Sequence, residues 1–145
     1  MRKVKWGVIG CGGIADRRTL PGMMLAENVD LVAVMDVSKD AAERCKEKYN
    51  AKYAFTNIED LLAIDEIEAV YIATPVVCHK EQATAAAKAG KHILLEKPIA
   101  LTVDEGEKLI KKSQETGAHV QVGQVIRFWD EYVELKKIIE EYAAK

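Results

Sequence analysis

The sequence predicts an α/β domain with a doubly wound, mostly parallel sheet and helices on both of its faces. Short apolar runs alternate with helical segments from one end of the chain to the other. Several runs are apolar on successive residues, which is typical of parallel strands that are buried on both faces. A glycine-rich loop follows the first run. Such strand–helix alternation favours right-handed βαβ units in a single sheet.

Five apolar runs are predicted as strands, and a sixth, weaker run is predicted as a short strand. The five main runs are bounded by polar or glycine-containing segments and are too short for buried helices. They cover residues 4–10, 30–36, 68–74, 92–96 and 119–125, and the weaker run covers 52–56.

Helices are predicted between these strands from their start and stop signals. Capping boxes begin at Thr56 and at Thr102. Two segments, near 77–89 and 103–116, are followed by glycines that suit the first position after a helix.

The last part of the chain predicts an amphipathic crossover helix over about 128–143. Its aromatic and aliphatic residues fall largely on one stripe. We therefore expect one domain over residues 1–145, with a core of about 1–125. An exposed apolar stripe tends to find a partner, so we expect either a weak homodimer through this helix or a helix folded back on the sheet edge.

Composition excludes several classes of function. The chain has 145 residues, which suits one domain. Its 21 basic and 23 acidic residues leave a net charge of −2, with no basic excess for nucleic acid or an anionic membrane. No apolar run approaches a membrane span and no signal peptide is recognised.

The three cysteines, Cys11, Cys45 and Cys78, favour a reducing compartment. They are odd in number and lack CxxC spacing. We therefore expect a cytoplasmic protein without a metal site, in which the cysteines occupy packing or loop positions.

The loop after the first strand has the pattern of a dinucleotide-binding site. Gly10, Gly12 and Ala15 form G-x-G-x-x-A between a strand and a helix. Gly10 allows the tight turn, Gly12 lets the backbone approach a pyrophosphate, and Ala15 allows close helix packing. Gly13 and Ile14 complete the loop and are predicted cofactor contacts. The alternative is a glycine-rich turn that binds nothing.

The second strand ends in Asp36, which strengthens the cofactor interpretation. A carboxylate at this point can accept hydrogen bonds from ribose hydroxyls, and it favours NAD over NADP because it would repel a 2′-phosphate. Lys39 and Arg44 are nearby cations that leave NADP open. The alternative is that Asp36 merely starts the turn before the helix at Ser38.

The segment HILLEKPIA places two charges directly after a buried strand. Charged residues at such a point are usually paired or used for function. On spacing alone, Glu96 and Lys97 could equally be an exposed pair before a turn.

Four segments together resemble the Gfo/Idh/MocA family of nicotinamide-dependent oxidoreductases: GVIGCGGIA, ATPVVCH, GKHILLEKPIA and VGQVIRF. The resemblance extends to about residue 130 and implies a Rossmann domain. The chain has Thr74-Pro75-Val76 where the family usually has Thr-Pro-Asn. The resemblance also implies a second α/β domain that carries a catalytic histidine. We expect that domain to be absent from this chain.

The resemblance implies roles for individual residues. Lys97 would be the catalytic lysine beside the nicotinamide, and Glu96 would pair with it or orient it. Both are also expected cofactor contacts, together with Thr74, Pro75 and Arg127. Arg127 could equally be a surface arginine.

Two further positions have expected structural roles. His79 is expected to hold the turn after the fourth strand. The resemblance also implies that the Lys97–Pro98 bond is often cis.

The implied function is the cofactor-binding half of an NAD(P)-dependent oxidoreductase. The full-length family transfers hydride to or from a sugar, an inositol or a related polyol. We expect this chain alone to bind NAD(H) without turnover. Two alternatives are a stand-alone dinucleotide-binding or sensor module and a folded but nonfunctional fragment.

Overall fold

The centre of the structure, a computed structural model that describes residues 2–143, is a six-stranded parallel sheet. The strand order is β3-β2-β1-β4-β5-β6, and every pair is parallel. The order reverses between β1 and β4, so the predicted doubly wound α/β class is confirmed. The strands are β1 (Val4–Ile9), β2 (Val29–Met35), β3 (Tyr53–Phe55), β4 (Ala69–Ile72), β5 (His92–Leu95) and β6 (Val120–Val122).

Helices connect the strands and cover the sheet. A π-helical turn, Ala15–Thr19, leads into the first α-helix, and a 3-10 turn, Val125–Phe128, precedes the last. The helices are α1 (Leu20–Leu25), α2 (Lys39–Tyr49), α3 (Ile58–Leu62), α4 (Val76–Lys88), α5 (Val103–Thr116) and α6 (Asp130–Ala143).

Two apolar layers, one on each face of the sheet, hold these elements together. Alternate residues of a strand point to opposite faces, so Val8 and Ile9 belong to different layers. The layer of Ile9 includes three alanines of α4, whose small side chains let that helix lie close to the sheet. The layer of Val8 includes Leu20 of α1 and Cys45 of α2.

The helix ends follow the sequence signals with one correction. Thr102 caps α5 by accepting a hydrogen bond from the N–H of Glu105 at 3.2 Å, as predicted. Gly117 ends that helix with a positive φ. The prediction that Thr56 caps α3 is wrong: Asn57 caps it, accepting from the N–H of Asp60 at 2.9 Å. Both residue types can cap, and the asparagine also donates to the Asp60 carboxylate.

The last helix, α6, has its apolar stripe exposed. Every described residue from Gln124 onward is exposed to solvent, including Phe128, Trp129 and Ile139. The alternative in which this helix folds back on the sheet edge is therefore wrong for this structure. No helix within residues 2–143 is long and apolar enough to cross a membrane.

Candidate dinucleotide site

A cavity of about 350 Å³ lies at the carboxyl ends of the central strands. Parallel sheets bind ligands at this edge, where the strand order reverses. The volume falls within the range of ligand pockets, roughly 300–1,000 Å³. The lining residues are Gly10, Gly12, Met35, Asp36, Val37, Ala73, Thr74, Pro75, Cys78 and Gln82.

Glycine is needed at Gly10 and at Gly12 for different structural reasons. Gly10 has φ of +95°, and a Cβ there would lie 2.9 Å from the backbone of Ala73, so the turn requires glycine. A Cβ at Gly12 would have no neighbour within 4 Å. The surface above Gly12 is therefore open, as the approach of a phosphate to the backbone requires. Ala15, fully buried behind the loop, lets the helical segment pack close to the sheet.

Asp36 is tied to the glycine loop by its carboxylate. One carboxylate oxygen accepts from the N–H of Cys11 and the other from the N–H of Ser38, each at 2.9 Å. The acid thus joins the loop after β1 to the start of α2. A carboxylate has about four lone-pair sites, so two remain for the hydroxyls of a ribose.

His79 holds the two loops beside the cavity together. Its ring nitrogens contact the carbonyl oxygen of Pro98 at 2.8 Å and that of Thr74 at 3.0 Å, and the side chain is buried. The prediction that His79 holds the turn after β4 is confirmed. The Lys97–Pro98 bond is cis, as the resemblance implies. Thr74 also donates to the side-chain oxygen of Gln82 at 2.5 Å.

Among the described residues, Glu96 makes no ion pair with Lys97. Of its two predicted roles, pairing with Lys97 or orienting it, the first is therefore wrong. The Glu96 carboxylate accepts from the Tyr71 hydroxyl at 2.6 Å, and that hydroxyl lies 2.8 Å from the Thr19 hydroxyl. The carboxylate turns toward Tyr71 because a buried phenol needs a hydrogen-bond partner. Burial, followed by the bond to Glu96, raises the pKa of Tyr71.

Lys97 lies two residues after the end of β5, with its side chain exposed. Among the described residues it makes no ion pair. Its ammonium group is therefore available to a bound molecule at this edge of the sheet.

Some of the residues predicted to contact the cofactor line the cavity, and others lie outside it. Gly10, Gly12, Asp36, Thr74 and Pro75 line the cavity together.

The other predicted contacts lie around the cavity or apart from it. Gly13 and Ile14 are exposed where the helix begins. Glu96 and Lys97 follow β5 on the same edge of the sheet. Arg127 lies on the 3-10 turn after β6, where it lines a separate groove.

Sequence reasoning missed several residues of this region. Met35, Val37, Cys78 and Gln82 line the cavity, yet nothing in their local pattern marks them. Tyr71 did carry a signal, since a tyrosine inside a fully apolar strand needs a partner for its hydroxyl. Within residues 2–143 no cluster of metal-ligating side chains is found.

Known proteins match this chain over nearly its whole length. Residues 4–124 match the model of an oxidoreductase family described as having an NAD-binding Rossmann fold. The chain is 37% identical to the oxidoreductase ORF334 of Rhizobium meliloti, over 93% of this chain and 41% of that protein. It is 35% identical to the scyllo-inositol 2-dehydrogenase (NADP(+)) IolU of Bacillus subtilis, over 92% of this chain and 40% of that protein.

The fold of this chain also matches that of a solved dehydrogenase structure. The WlbA dehydrogenase of Bordetella pertussis, in complex with NADH and UDP-GlcNAcA, superposes with a TM-score of 0.90 at 29% identity. The match covers 97% of this chain and 42% of that one. The chain thus spans about two fifths of the length of these relatives.

Proposed function

This chain belongs to the Gfo/Idh/MocA oxidoreductase family with an NAD-binding Rossmann fold, and from that membership we propose that it binds NAD(H) as the cofactor half of a polyol or sugar oxidoreductase. The observation that carries the proposal is the cavity bounded by the open face of Gly12 and the carboxylate of Asp36.

The residues of the cavity suit the two polar parts of a dinucleotide. Loop N–H groups at the start of a helical segment suit the pyrophosphate. Asp36, held by two backbone N–H groups, suits the adenosine ribose. Thr74 and Pro75 bound the cavity on the β4 side.

Asp36 also favours NAD over NADP. A 2′-phosphate next to this carboxylate would place like charges together, which disfavours binding. Relatives use both cofactors: the IolU name specifies NADP(+), whereas the WlbA complex contains NADH. Lys39, on the first turn of α2, is the cation that would serve a phosphate if Asp36 were absent.

Lys97 is the residue we assign to the substrate. When bound, the nicotinamide supplies or accepts the hydride. An ammonium group donates hydrogen bonds and carries positive charge, so Lys97 can hold and polarise a substrate oxygen at the reacting carbon. Glu96, fixed by Tyr71, anchors the backbone next to Lys97. The substrate class we propose is a sugar, an inositol or a related polyol, by analogy with the named relatives.

We propose that residues 1–145 bind the cofactor without turning over substrate. Proton transfer needs a base within hydrogen-bond reach of the reacting oxygen. His79 is buried with both ring nitrogens engaged. His92 begins β5 and His119 directly precedes β6, at the opposite edge of the sheet from Lys97.

We further propose a cytoplasmic protein that self-associates weakly through the exposed stripe of α6. The stripe includes Tyr132, Val133, Ile138 and Ile139. Sedimentation velocity over a range of concentrations tests this, and a strictly monomeric chain at the highest concentration would contradict it.

Calorimetric titration with NAD and NADP, side by side, tests the cofactor assignment. We expect binding of both redox forms of NAD and weaker binding of NADP. Equal or stronger NADP binding would overturn the selectivity, and no binding of either would overturn the proposed function. An absorbance screen for NADH over a panel of polyols then tests turnover, which we expect to be undetectable.

A further inference from the structure

Two of the three cysteines lie in one apolar cluster beside the dinucleotide loop. Cys11 lies between Gly10 and Gly12, and Cys45 lies on α2. Both belong to the apolar layer of Val8, and they are 8% and 4% exposed. Both cysteines are free, and each thiol shifts the pKa of the other.

A small cavity, separate from the dinucleotide cavity, is lined by both cysteines. It has a volume of about 130 Å³ and is lined by Cys11, Asp16, Ala41, Arg44, Cys45 and Lys48. A site of roughly 10–15 Å³ holds one water molecule, so this cavity admits a peroxide molecule of similar dimensions.

The environment makes the two thiols unequal. The neighbouring Cys11 thiol lowers the pKa of Cys45, with a contribution from the charge of Lys48. The Cys45 thiol, together with burial, raises the pKa of Cys11. The Cys11 sulfur also lies 3.5 Å from the carbonyl oxygen of Met35, which accepts its proton. Cys45 is therefore the nucleophile of the pair, because the thiolate is the reactive form.

We propose that Cys11 and Cys45 form a reversible disulfide under oxidation by hydrogen peroxide, and that this bond weakens cofactor binding. The Cys45 thiolate attacks one peroxide oxygen, the O–O bond breaks, and the leaving hydroxide takes up a proton as water. The resulting sulfenic acid is attacked by the Cys11 sulfur, the S–O bond breaks, and the hydroxyl leaves with the Cys11 proton as a second water. Two thiols and one peroxide thus give one disulfide and two waters, and an added dithiol reverses the reaction.

The disulfide acts on the site through the backbone of Cys11. An S–S bond of about 2.05 Å is much shorter than the contact between two unbonded sulfurs, so the loop at Cys11 and α2 must move toward each other. That movement displaces the neighbouring Gly12 and disturbs the hydrogen bond from the Cys11 N–H to Asp36. Because both groups bound the dinucleotide cavity, we expect the affinity for NADH to fall at least tenfold. This second step rests on the proposed function, whereas disulfide formation does not.

The test uses the full chain carrying Cys78→Ala, which leaves the pair as the remaining thiols. After peroxide treatment, we expect the intact mass to fall by two hydrogens and peptide mapping to link Cys11 to Cys45. NADH titrations of the oxidised and reduced forms should then differ at least tenfold, and dithiothreitol should restore the higher affinity. The matched control adds Cys45→Ala, or Cys45→Ser if the alanine variant does not fold. Its NADH affinity should not respond to peroxide.

Several outcomes would overturn the inference. An unchanged mass, or oxygen addition to Cys45 without a cross-link, excludes the disulfide. A cross-link that leaves NADH affinity unchanged excludes its effect on the site. If the reduced, unsubstituted chain does not bind NADH, the proposed function fails, and mass mapping still decides the disulfide. Amide hydrogen exchange at Cys11 then reports whether the loop moves: unchanged exchange overturns the coupling.

Discussion

Replacing Gly12 with valine separates the glycine loop's role in binding from its role in folding. A Cβ at Gly12 would meet no atom within 4 Å. The folded chain therefore accommodates the new side chain, and we expect the free energy of unfolding to change by about 0.5 kcal/mol or less. The side chain would occupy the open surface that the proposed pyrophosphate needs.

The expected loss of affinity follows from the hydrogen bonds that valine blocks. A hydrogen bond to a charged group contributes about 1.5–3 kcal/mol. Blocking two loop N–H groups then costs about 3–6 kcal/mol, which corresponds to a loss of affinity of about 10²–10⁴-fold.

Calorimetric titration with NADH and thermal unfolding measure the two effects. The matched control is Gly22→Val, the same substitution on α1, where a Cβ also has no neighbour within 4 Å. We expect the control to bind NADH within about twofold of the parent chain. A substitution far from a site is usually energetically independent of it to within about 0.3–0.5 kcal/mol. A folded Gly12→Val chain with unchanged affinity would refute the assignment of the loop. A Gly12→Val chain that does not fold would refute the structural argument.

Three further substitutions test other parts of the site. Asp36→Ser should lower the affinity for NAD and raise that for NADP, because a carboxylate is removed and Lys39 becomes available to a phosphate; an unchanged ratio in paired titrations would place Asp36 outside the ribose site. Gly10→Ala should lower the free energy of unfolding by about 2–4 kcal/mol, since its Cβ would contact backbone at 2.9 Å and φ is +95°; an unchanged urea midpoint would contradict this. Tyr71→Phe should cost about 1.5–3 kcal/mol of stability because the Glu96 carboxylate loses its donor. Because the pKa of Tyr71 is raised in the folded state, its neutral hydroxyl contributes stability that is fully present below about pH 10 and is lost as pH rises further. The parent chain should therefore lose more stability at alkaline pH than the Tyr71→Phe variant. Equal losses would contradict the assignment.

The site divides into features that local sequence can predict and features that it cannot. The loop of Gly10 and Gly12 was predictable because a tight turn and a close backbone approach demand glycine at defined spacing. Lys97 stood out because a charge directly after a buried strand is unusual. Both signals depend on residues within one short segment.

The partners of these residues lay beyond any local signal. Glu96 binds Tyr71, 25 positions earlier, rather than its neighbour Lys97. Asp36 accepts from the N–H of Cys11, 25 positions earlier. Such pairs arise because parallel strands bring the ends of distant segments to the same edge of the sheet.

The sequence by itself determined the α/β class, the strand and helix positions and the glycine loop, because hydrophobic period, capping and turn conformation are properties of neighbouring residues. The tertiary structure alone decided the strand order, the bridge that His79 makes between two loops, the placement of Cys11 and Cys45 in one apolar layer and the exposure of α6. These depend on which elements pack together in space, since burial and hydrogen-bond partners between distant segments are set by the sheet order rather than by any one segment.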